Sequence, residues 1–416
     1  MPITDLLNGG RGKKCMGLIR EGKLPPDRRV ALTPQQAATL QATYPQDLHI
    51  MVESSEIRCF NDNEYRELGL SLVVPSQLAD CDILFGIKEV PVSDLIAHKT
   101  YFFFSHTTKK QPYNRELLQT ILEKQIQLID YELLKDEQGK RLIGFGVHAG
   151  NVGAHYALMM VGKRYGLFDL PPAWQCQWKS NMLERYAQYQ FPHERFVVTG
   201  RGRVGQGAVE VLNAAGIFQV KPREFLEQDF DMPVYTVVDV QQLYCRPDGK
   251  PFENETFYQN PEAFQSAFAP FTRRASVLIN GMYWDKRAPR LFEMADLQRE
   301  DFTIRTIADV TCDINGSVPA NIRETTSEAP FYGIDRSSLE ETAPFYEETI
   351  DVMAISNLPN ELAFDASQHF GKVLTSLVIP LCLFEPNSPV LRQATIAQDG
   401  QLMPDFTYLE DFVNDG

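Results

Sequence analysis

The run Phe196-Val197-Val198-Thr199-Gly200-Arg201-Gly202-Arg203-Val204-Gly205 reads as a buried strand breaking into a loop with glycine at its first, third and sixth positions. A helix follows directly: Val204, Ala208, Val211, Leu212 and Ala215 recur at helical spacing, and Gly216 stands where a helix would end. Each glycine has its own task. The first permits the tight turn, the second lets a pyrophosphate approach the backbone, and the third lets helix pack on strand. The free N–H groups and positive dipole at the helix start then hold the phosphate. A nicotinamide or flavin dinucleotide is the leading ligand. The competing reading is a structural glycine turn in some other α/β fold.

The position of this loop sets the domain plan. The strand before it begins near residue 195 of 416, so a full domain precedes it. Apolar strand-like runs at 16–19, 82–87, 101–105 and 126–129 alternate there with helical or turn-like patterns at 34–40, 76–79 and 114–123. A helical stretch at 152–165 leads into the second domain, whose strands are expected at 196–199, 234–238, 277–280, 304–309 and 352–355. After Pro359 a long helical pattern covers 361–383, and an acidic tail ends the chain. The expected fold class is therefore α/β. Two Rossmann-like domains with parallel sheets flank an active-site cleft. Residues 1–148, completed by 361–416, form a discontinuous substrate domain, and 149–360 form the dinucleotide domain.

Bulk properties exclude several classes. A net charge of −15 argues against nucleic acid or an anionic membrane as partner. No apolar run approaches the roughly 20 residues that span a bilayer. The N-terminus lacks a secretory apolar core, so the cytoplasm is the expected location. The seven cysteines are scattered without a CxxC or Cys/His cluster, which supports neither a disulfide framework nor a metal site. Oligomeric state is not legible.

Three consecutive candidate strands of the first domain end in ionisable residues: Lys88 and Glu89, then His106, then Asp130 and Glu132. In open α/β sheets, ligands lie outside the carboxyl ends of the strands. A lysine or histidine set against apolar strands is shifted by burial toward a pKa useful for proton transfer. Taken singly, each residue reads equally well as surface charge; together they favour function. Arg29, just before a helix start, offers a bidentate carboxylate clamp or an ordinary salt bridge. Lys109 and Arg141 add positive charge near His106 and Glu132, as a dicarboxylic substrate would need. His148 reads as a satisfied structural histidine.

Longer motifs add a resemblance. Ile19-Arg20-Glu21-Gly22-Lys23, Arg29-Val30-Ala31-Leu32-Thr33-Pro34, Gly86-Ile87-Lys88-Glu89 and Phe104-Ser105-His106-Thr107-Thr108-Lys109 resemble the alanine dehydrogenase, transhydrogenase and lysine-forming saccharopine dehydrogenase superfamily. Leu128-Ile129-Asp130-Tyr131-Glu132, Gly144-Phe145-Gly146, Leu278-Ile279-Asn280-Gly281-Met282-Tyr283-Trp284 and Ser356-Asn357-Leu358-Pro359-Asn360-Glu361-Leu362 resemble its saccharopine branch, above all the lysine–ketoglutarate reductase half of the bifunctional animal and plant enzyme. The resemblance runs from about residue 16 to 385. It implies a reversible reaction in which saccharopine, a nicotinamide dinucleotide and water give lysine and 2-oxoglutarate. It places the acid/base pair on Lys88 and His106, modulated by Glu132. It brings Lys109, Arg141, Arg29 and Phe145 to the substrate. It brings Gly200, Gly202, Arg203, Val204, Gly205, Asn280 and Asp313 to the cofactor. Another amino-acid or opine dehydrogenase, such as an alanine dehydrogenase, and a dinucleotide-binding protein without catalysis are the alternatives.

One position departs from the pattern. The acid that bonds the adenosine ribose is expected about 20 residues after the loop. Here the strand at 234–238 ends at Asp239, beyond an apparent insertion at 217–233. A carboxylate there favours a free 2′-OH and repels a 2′-phosphate, so NAD is expected, with NADP as the alternative. The resembling reductase half lacks this acid and uses NADP. Arg201 and Arg203 either reach a phosphate or are solvated. The segment 243–275 has no role from pattern alone.

Overall fold

The computed structural model describes residues 12–414, which cluster into two compact units. One takes the described residues up to Gly144 and resumes at Ala363; the other is Phe145–Leu362. No helix among the described residues is long and apolar enough to cross a membrane.

The first unit is built on an eight-stranded sheet. In order across it lie Gln401–Leu402, Thr395–Gln398, Gln127–Asp130, Thr100–Phe103, Ile83–Phe85, Lys14–Leu18, Leu48–Glu53 and Ser71–Val73. All neighbours are parallel except the two pairings made by Thr395–Gln398, which are antiparallel. The chain thus winds outward from Lys14–Leu18 in one direction, then returns beside it at Ile83–Phe85 and winds the other way. Such a reversal leaves a crevice at the carboxyl ends of the two central strands. Ile83–Phe85 is buried throughout and Lys14–Leu18 from Met16 onward, as apolar runs covered on both faces require.

Four strands of this sheet escape the periodicity reading. Leu48–Glu53 alternates buried and half-buried positions through the polar His49, and Ser71–Val73 has only three residues. Thr395–Gln398 lies in what reads as an acidic tail. Instead, the tail adds Thr395–Gln398 and Gln401–Leu402 to the sheet and then packs Phe406, Leu409 and Phe412 into the same core. Short strands in polar surroundings carry little period-2 signal; their burial comes from the sheet they join. The helical pattern at 361–383 is also broken. Leu374–Val378 is a π turn between two α segments. Pro380 has no N–H to return to Ser376, and its ring would strike that carbonyl in α register, so the wider turn absorbs the mismatch.

The second unit holds another eight-stranded sheet, ordered Glu341–Thr342, Tyr332–Asp335, Thr349–Met353, Thr306–Asp309, Val277–Asn280, Arg195–Thr199, Val234–Val238 and Phe218–Gln219. Six strands are parallel; Tyr332–Asp335 and Glu341–Thr342 form an antiparallel edge. Arg195–Thr199 is the switch strand here, with Val234–Val238 on one side and Val277–Asn280 on the other. The two sheets establish the α/β class with two Rossmann-like units. Residues 217–233 supply an edge strand and the helix Pro222–Glu227. Residues 243–275 carry a small hairpin, Tyr244–Cys245 with Gln265–Ser266, over a core of Phe257, Phe264, Phe268 and Phe271.

Candidate active site and dinucleotide loop

In the first unit three parallel strands deliver their chain turns to one edge of the sheet. Lys88 and Glu89 follow Ile83–Phe85, His106 follows Thr100–Phe103, and Glu132 follows Gln127–Asp130. The turn at His106 is strained: its φ is 53°, in the left-handed region. Asp130 holds that turn. Its buried carboxylate accepts the Ser105 N–H at 3.0 Å and the Ser105 hydroxyl, and the Ser105 hydroxyl meets that of Thr107 at 2.9 Å.

Glu89 joins the charged groups of the edge. Its Oε1 lies 2.7 Å from His106 Nδ1, and its Oε2 lies 2.9 Å from Lys23 Nζ. Burial alone would raise its pKa; the hydrogen bonds from His106 and Lys23 outweigh burial and hold it at about 2. A carboxylate on Nδ1 leaves Nε2 as the ring nitrogen able to face a substrate. Lys88, half-buried beside it, has its pKa lowered, first by burial and then by the charge of Arg29, against the opposing charges of Asp27 and Glu89.

A second cluster lies around Glu132. Lys109 Nζ is 3.4 Å from its Oε2 and Arg141 Nη2 is 3.1 Å from its Oε1. Burial opposes ionisation of Glu132, but Lys109, Arg141 and His106 together lower its pKa. The Arg141 guanidinium lies 5.7 Å from the Phe104 ring centre. Arg29 is placed differently. It is 3% exposed and grips Asp27 through Nε at 2.9 Å and through Nη2, so its fork is engaged within the protein. Phe145 opens the helix Gly146–Tyr165 of the second unit.

The structure thus gathers Lys88, His106, Glu132, Lys109 and Arg141 on one sheet edge. It adds Lys23 and Asp27, and gives partners to Glu89 and Asp130, which the sequence reading names at strand ends without an individual role. Their signal was adjacency. Glu89 follows Lys88, and Asp27 stands two residues before Arg29, but pairing across turns has no periodic signature.

In the second unit, Gly200 has φ 89° and turns the chain out of Arg195–Thr199. Gly202 caps the helix Arg203–Ala214. A Cβ on Gly205 would lie 1.9 Å from the Gly200 carbonyl oxygen, whereas one on Gly202 would meet nothing within 4 Å. These are the tasks expected of the third and second glycines: close packing at one, open approach at the other. Val204 packs against Gly281, where a Cβ would lie 2.6 Å from its Cγ1. Asp239 caps the next turn through the Val240 N–H at 2.9 Å, at the end of the strand beside the loop. A hollow of about 240 Å³ opens between Gly202, Asp239, Tyr244, Phe257 and Trp284. Apolar walls, a helix N-terminus beside Gly202 and the carboxylate of Asp239 at the strand end fit the adenosine and pyrophosphate of a dinucleotide.

Asn280 and Asp313 differ in setting. The Asn280 side chain is engaged in a buried network. It accepts from Thr199 Oγ1 at 2.7 Å and donates to Asp309 at 2.9 Å, while the Gly281 N–H donates to Thr199 Oγ1 at 3.1 Å. It shapes the turn beside the glycine loop. Asp313 is exposed and starts the turn that its carbonyl closes with the Gly316 N–H at 2.8 Å.

Comparisons with known proteins agree with this architecture. Residues 17–152 match the family model described as "Alanine dehydrogenase/PNT, N-terminal domain". The chain is 30% identical to the alpha-aminoadipic semialdehyde synthase of Arabidopsis thaliana, across 96% of this chain and 41% of the relative. Against the mitochondrial synthase of Mus musculus, identity is 28% over 97% and 48%. The chain therefore spans less than half the length of these relatives. It is 28% identical to the NAD(+)-type, L-lysine-forming saccharopine dehydrogenase of Neurospora crassa, covering 88% of this chain and 91% of that one. A solved L-alanine dehydrogenase superposes with a TM-score of 0.66 at 16% identity, covering 96% of this chain and 99% of that one, which shows a shared fold. Residues 17–152 thus match the alanine dehydrogenase/PNT N-terminal domain, and the chain is similar, over most of its length, to L-lysine-forming saccharopine dehydrogenases.

Proposed function

We propose that this chain is a pyridine-nucleotide-dependent dehydrogenase acting on the C–N bond of an amino-acid-derived amine, with saccharopine as substrate and lysine and 2-oxoglutarate as products. The observation that carries this reading is the sheet edge where Lys88, the Glu89–His106 pair and the Lys109–Glu132–Arg141 cluster come together. The similarity to saccharopine dehydrogenases supports the choice of substrate.

Each residue has a chemical part. A bound nicotinamide dinucleotide supplies the hydride acceptor. Lys88, whose charged form is disfavoured by burial and Arg29, takes a proton from the substrate's secondary ammonium group and frees the nitrogen lone pair. Oxidation of the adjacent carbon leaves an imine. His106, held through Nδ1 by Glu89, draws a proton from the attacking water and later returns one to the departing amine. Lys109 and Arg141 exchange their bonds to Glu132 for bonds to substrate carboxylates, which fixes the reacting carbon in place. Arg29 acts through Lys88 and Asp27.

An absorbance assay pairing NADH or NADPH with lysine plus 2-oxoglutarate, and separately with pyruvate plus ammonia, tests the reading. Turnover of the first pair supports it. Turnover of the second pair alone transfers the chain to the alanine-dehydrogenase type. Intact dinucleotide binding without turnover of any pair leaves a binding protein.

Asp239 favours NAD over NADP. A charge-assisted bond to the ribose is worth about 1.5–3 kcal/mol, so Asp239→Ala should shift the ratio of kcat/KM values toward NADP by roughly 10- to 100-fold. A wild-type preference for NADPH, or an unchanged ratio in the variant, would remove the assignment.

A further inference from the structure

Glu21 lies in the turn that follows Lys14–Leu18, at the winding reversal of the first sheet, and is 8% exposed. Its Oε1 accepts the Ile87 N–H at 2.7 Å and its Oε2 accepts the Lys88 N–H at 2.8 Å. The parallel pairing of the two strands ends at Leu18 and Phe85. Beyond that point a side chain replaces the backbone as acceptor for two successive peptides. The geometry points to Glu21 as a positioning residue that fixes the peptide carrying Lys88, and so the place of its ammonium in the reaction; this rests on the proton-acceptor role proposed for Lys88.

The packing around this contact leaves little alternative. A Cβ on Gly86 would lie 3.0 Å from Ile19 Cδ1 and 3.6 Å from Glu21 Oε1, so the bare glycine gives the 19–21 turn its close approach. A Cβ on Gly22 would lie 2.9 Å from the Pro91 ring, so the second turn closes on the first from the other side. Two carboxyl oxygens on two consecutive amides hold both peptide planes. Burial and then the charge of Asp27 raise the Glu21 pKa to about 8, against the opposing pull of the Lys88 and Ile87 amides and Arg29. Tyr131 also feels this carboxylate across the core.

Glu21→Gln keeps one acceptor oxygen, and Glu21→Ala keeps none. Amide hydrogen exchange at Ile87 and Lys88 should therefore accelerate in the order wild type, Gln, Ala, by about tenfold or more in the Ala variant. Turnover per folded molecule should fall in the same order, by roughly 100-fold for Ala, the size expected for about 1 Å of misplacement. Dinucleotide affinity should stay unchanged. A purely structural role would lower melting temperature and active fraction while leaving kcat per folded molecule intact, and that result overturns the inference. Unchanged exchange at both amides also overturns it. If the wild-type chain oxidises no amine, the proposed function falls, and the exchange measurement still decides whether Glu21 holds the Lys88 peptide.

Discussion

Lys88→Met and His106→Gln should each lower kcat by roughly two to four orders of magnitude, the loss expected when general acid–base catalysis is removed. Met keeps most of the length of the lysine stem and suits a half-buried site, so folding should persist. Gln cannot exchange a proton, although its amide still has Glu89 to bond. Dinucleotide affinity should be unchanged in both, because the glycine loop belongs to the other unit. The pH profile supplies an independent reading. The Lys88 pKa is lowered, so its neutral, proton-accepting form appears at a lower pH than for an exposed lysine. Amine oxidation should therefore rise with pH through an ionisation below the usual lysine value, and Lys88→Met should abolish that limb. If the two residues serve one proton pathway, the double variant should be little worse than the worse single variant. Near-wild-type turnover in both single variants would refute the roles.

The parts of this molecule legible in its sequence are those whose signal is local. The glycine loop, its strand and its helix read directly, because the turn at Gly200 and the close contact of Gly205 with Gly200 lie within six residues. The central strands of both sheets read as apolar runs because both of their faces are covered. Lys88, His106 and Glu132 were found because a parallel sheet sends all strand ends to one edge. What did not read is pairing across that edge. Glu89 and Lys23 are partners over 66 residues, and Glu21 serves an amide 67 residues away. Arg29 shows the converse. Its sequence context leaves a substrate clamp and an ordinary salt bridge both open, and Asp27, two residues earlier, engages the guanidinium. Likewise, the strand Thr395–Gln398 owes its conformation to Gln127–Asp130, more than 260 residues before it, and no window on the tail contains that information.

Two glycine substitutions should separate the architecture of the cofactor domain from its ligand surface. A Cβ on Gly150 would lie 1.9 Å from the Val204 carbonyl oxygen and 3.0 Å from the Ala208 nitrogen, all backbone of the helix Arg203–Ala214. Gly207 faces the reverse contact, 2.0 Å from the Val147 carbonyl oxygen. The helices Gly146–Tyr165 and Arg203–Ala214 therefore touch backbone to backbone, tied further by Asn151 Nδ2 donating to the Gly207 carbonyl at 2.9 Å. Gly150→Ala gains up to about 1 kcal/mol of helix propensity. It also forces two helices apart, and overpacking typically costs about 1–3 kcal/mol, occasionally more. Because no side-chain rotation relieves a backbone clash, the upper part of that range applies and the net effect is destabilising. It should appear as a lower melting temperature and, because the start of the second helix is displaced, as weaker dinucleotide binding. Gly207→Ala separates the same helices, so the double variant should cost less than the two penalties added. Gly202→Ala is the opposite case. Its φ of −72° suits alanine and its Cβ would meet no protein atom within 4 Å. Stability should hold, or rise by about 0.4–1 kcal/mol as the unfolded chain loses freedom. The new methyl group enters the space left for the pyrophosphate, so dinucleotide affinity should fall. Thermal unfolding with and without NAD, alongside a binding titration, reads both. An unchanged melting temperature for Gly150→Ala would refute the backbone contact, and wild-type affinity in Gly202→Ala would refute the phosphate site.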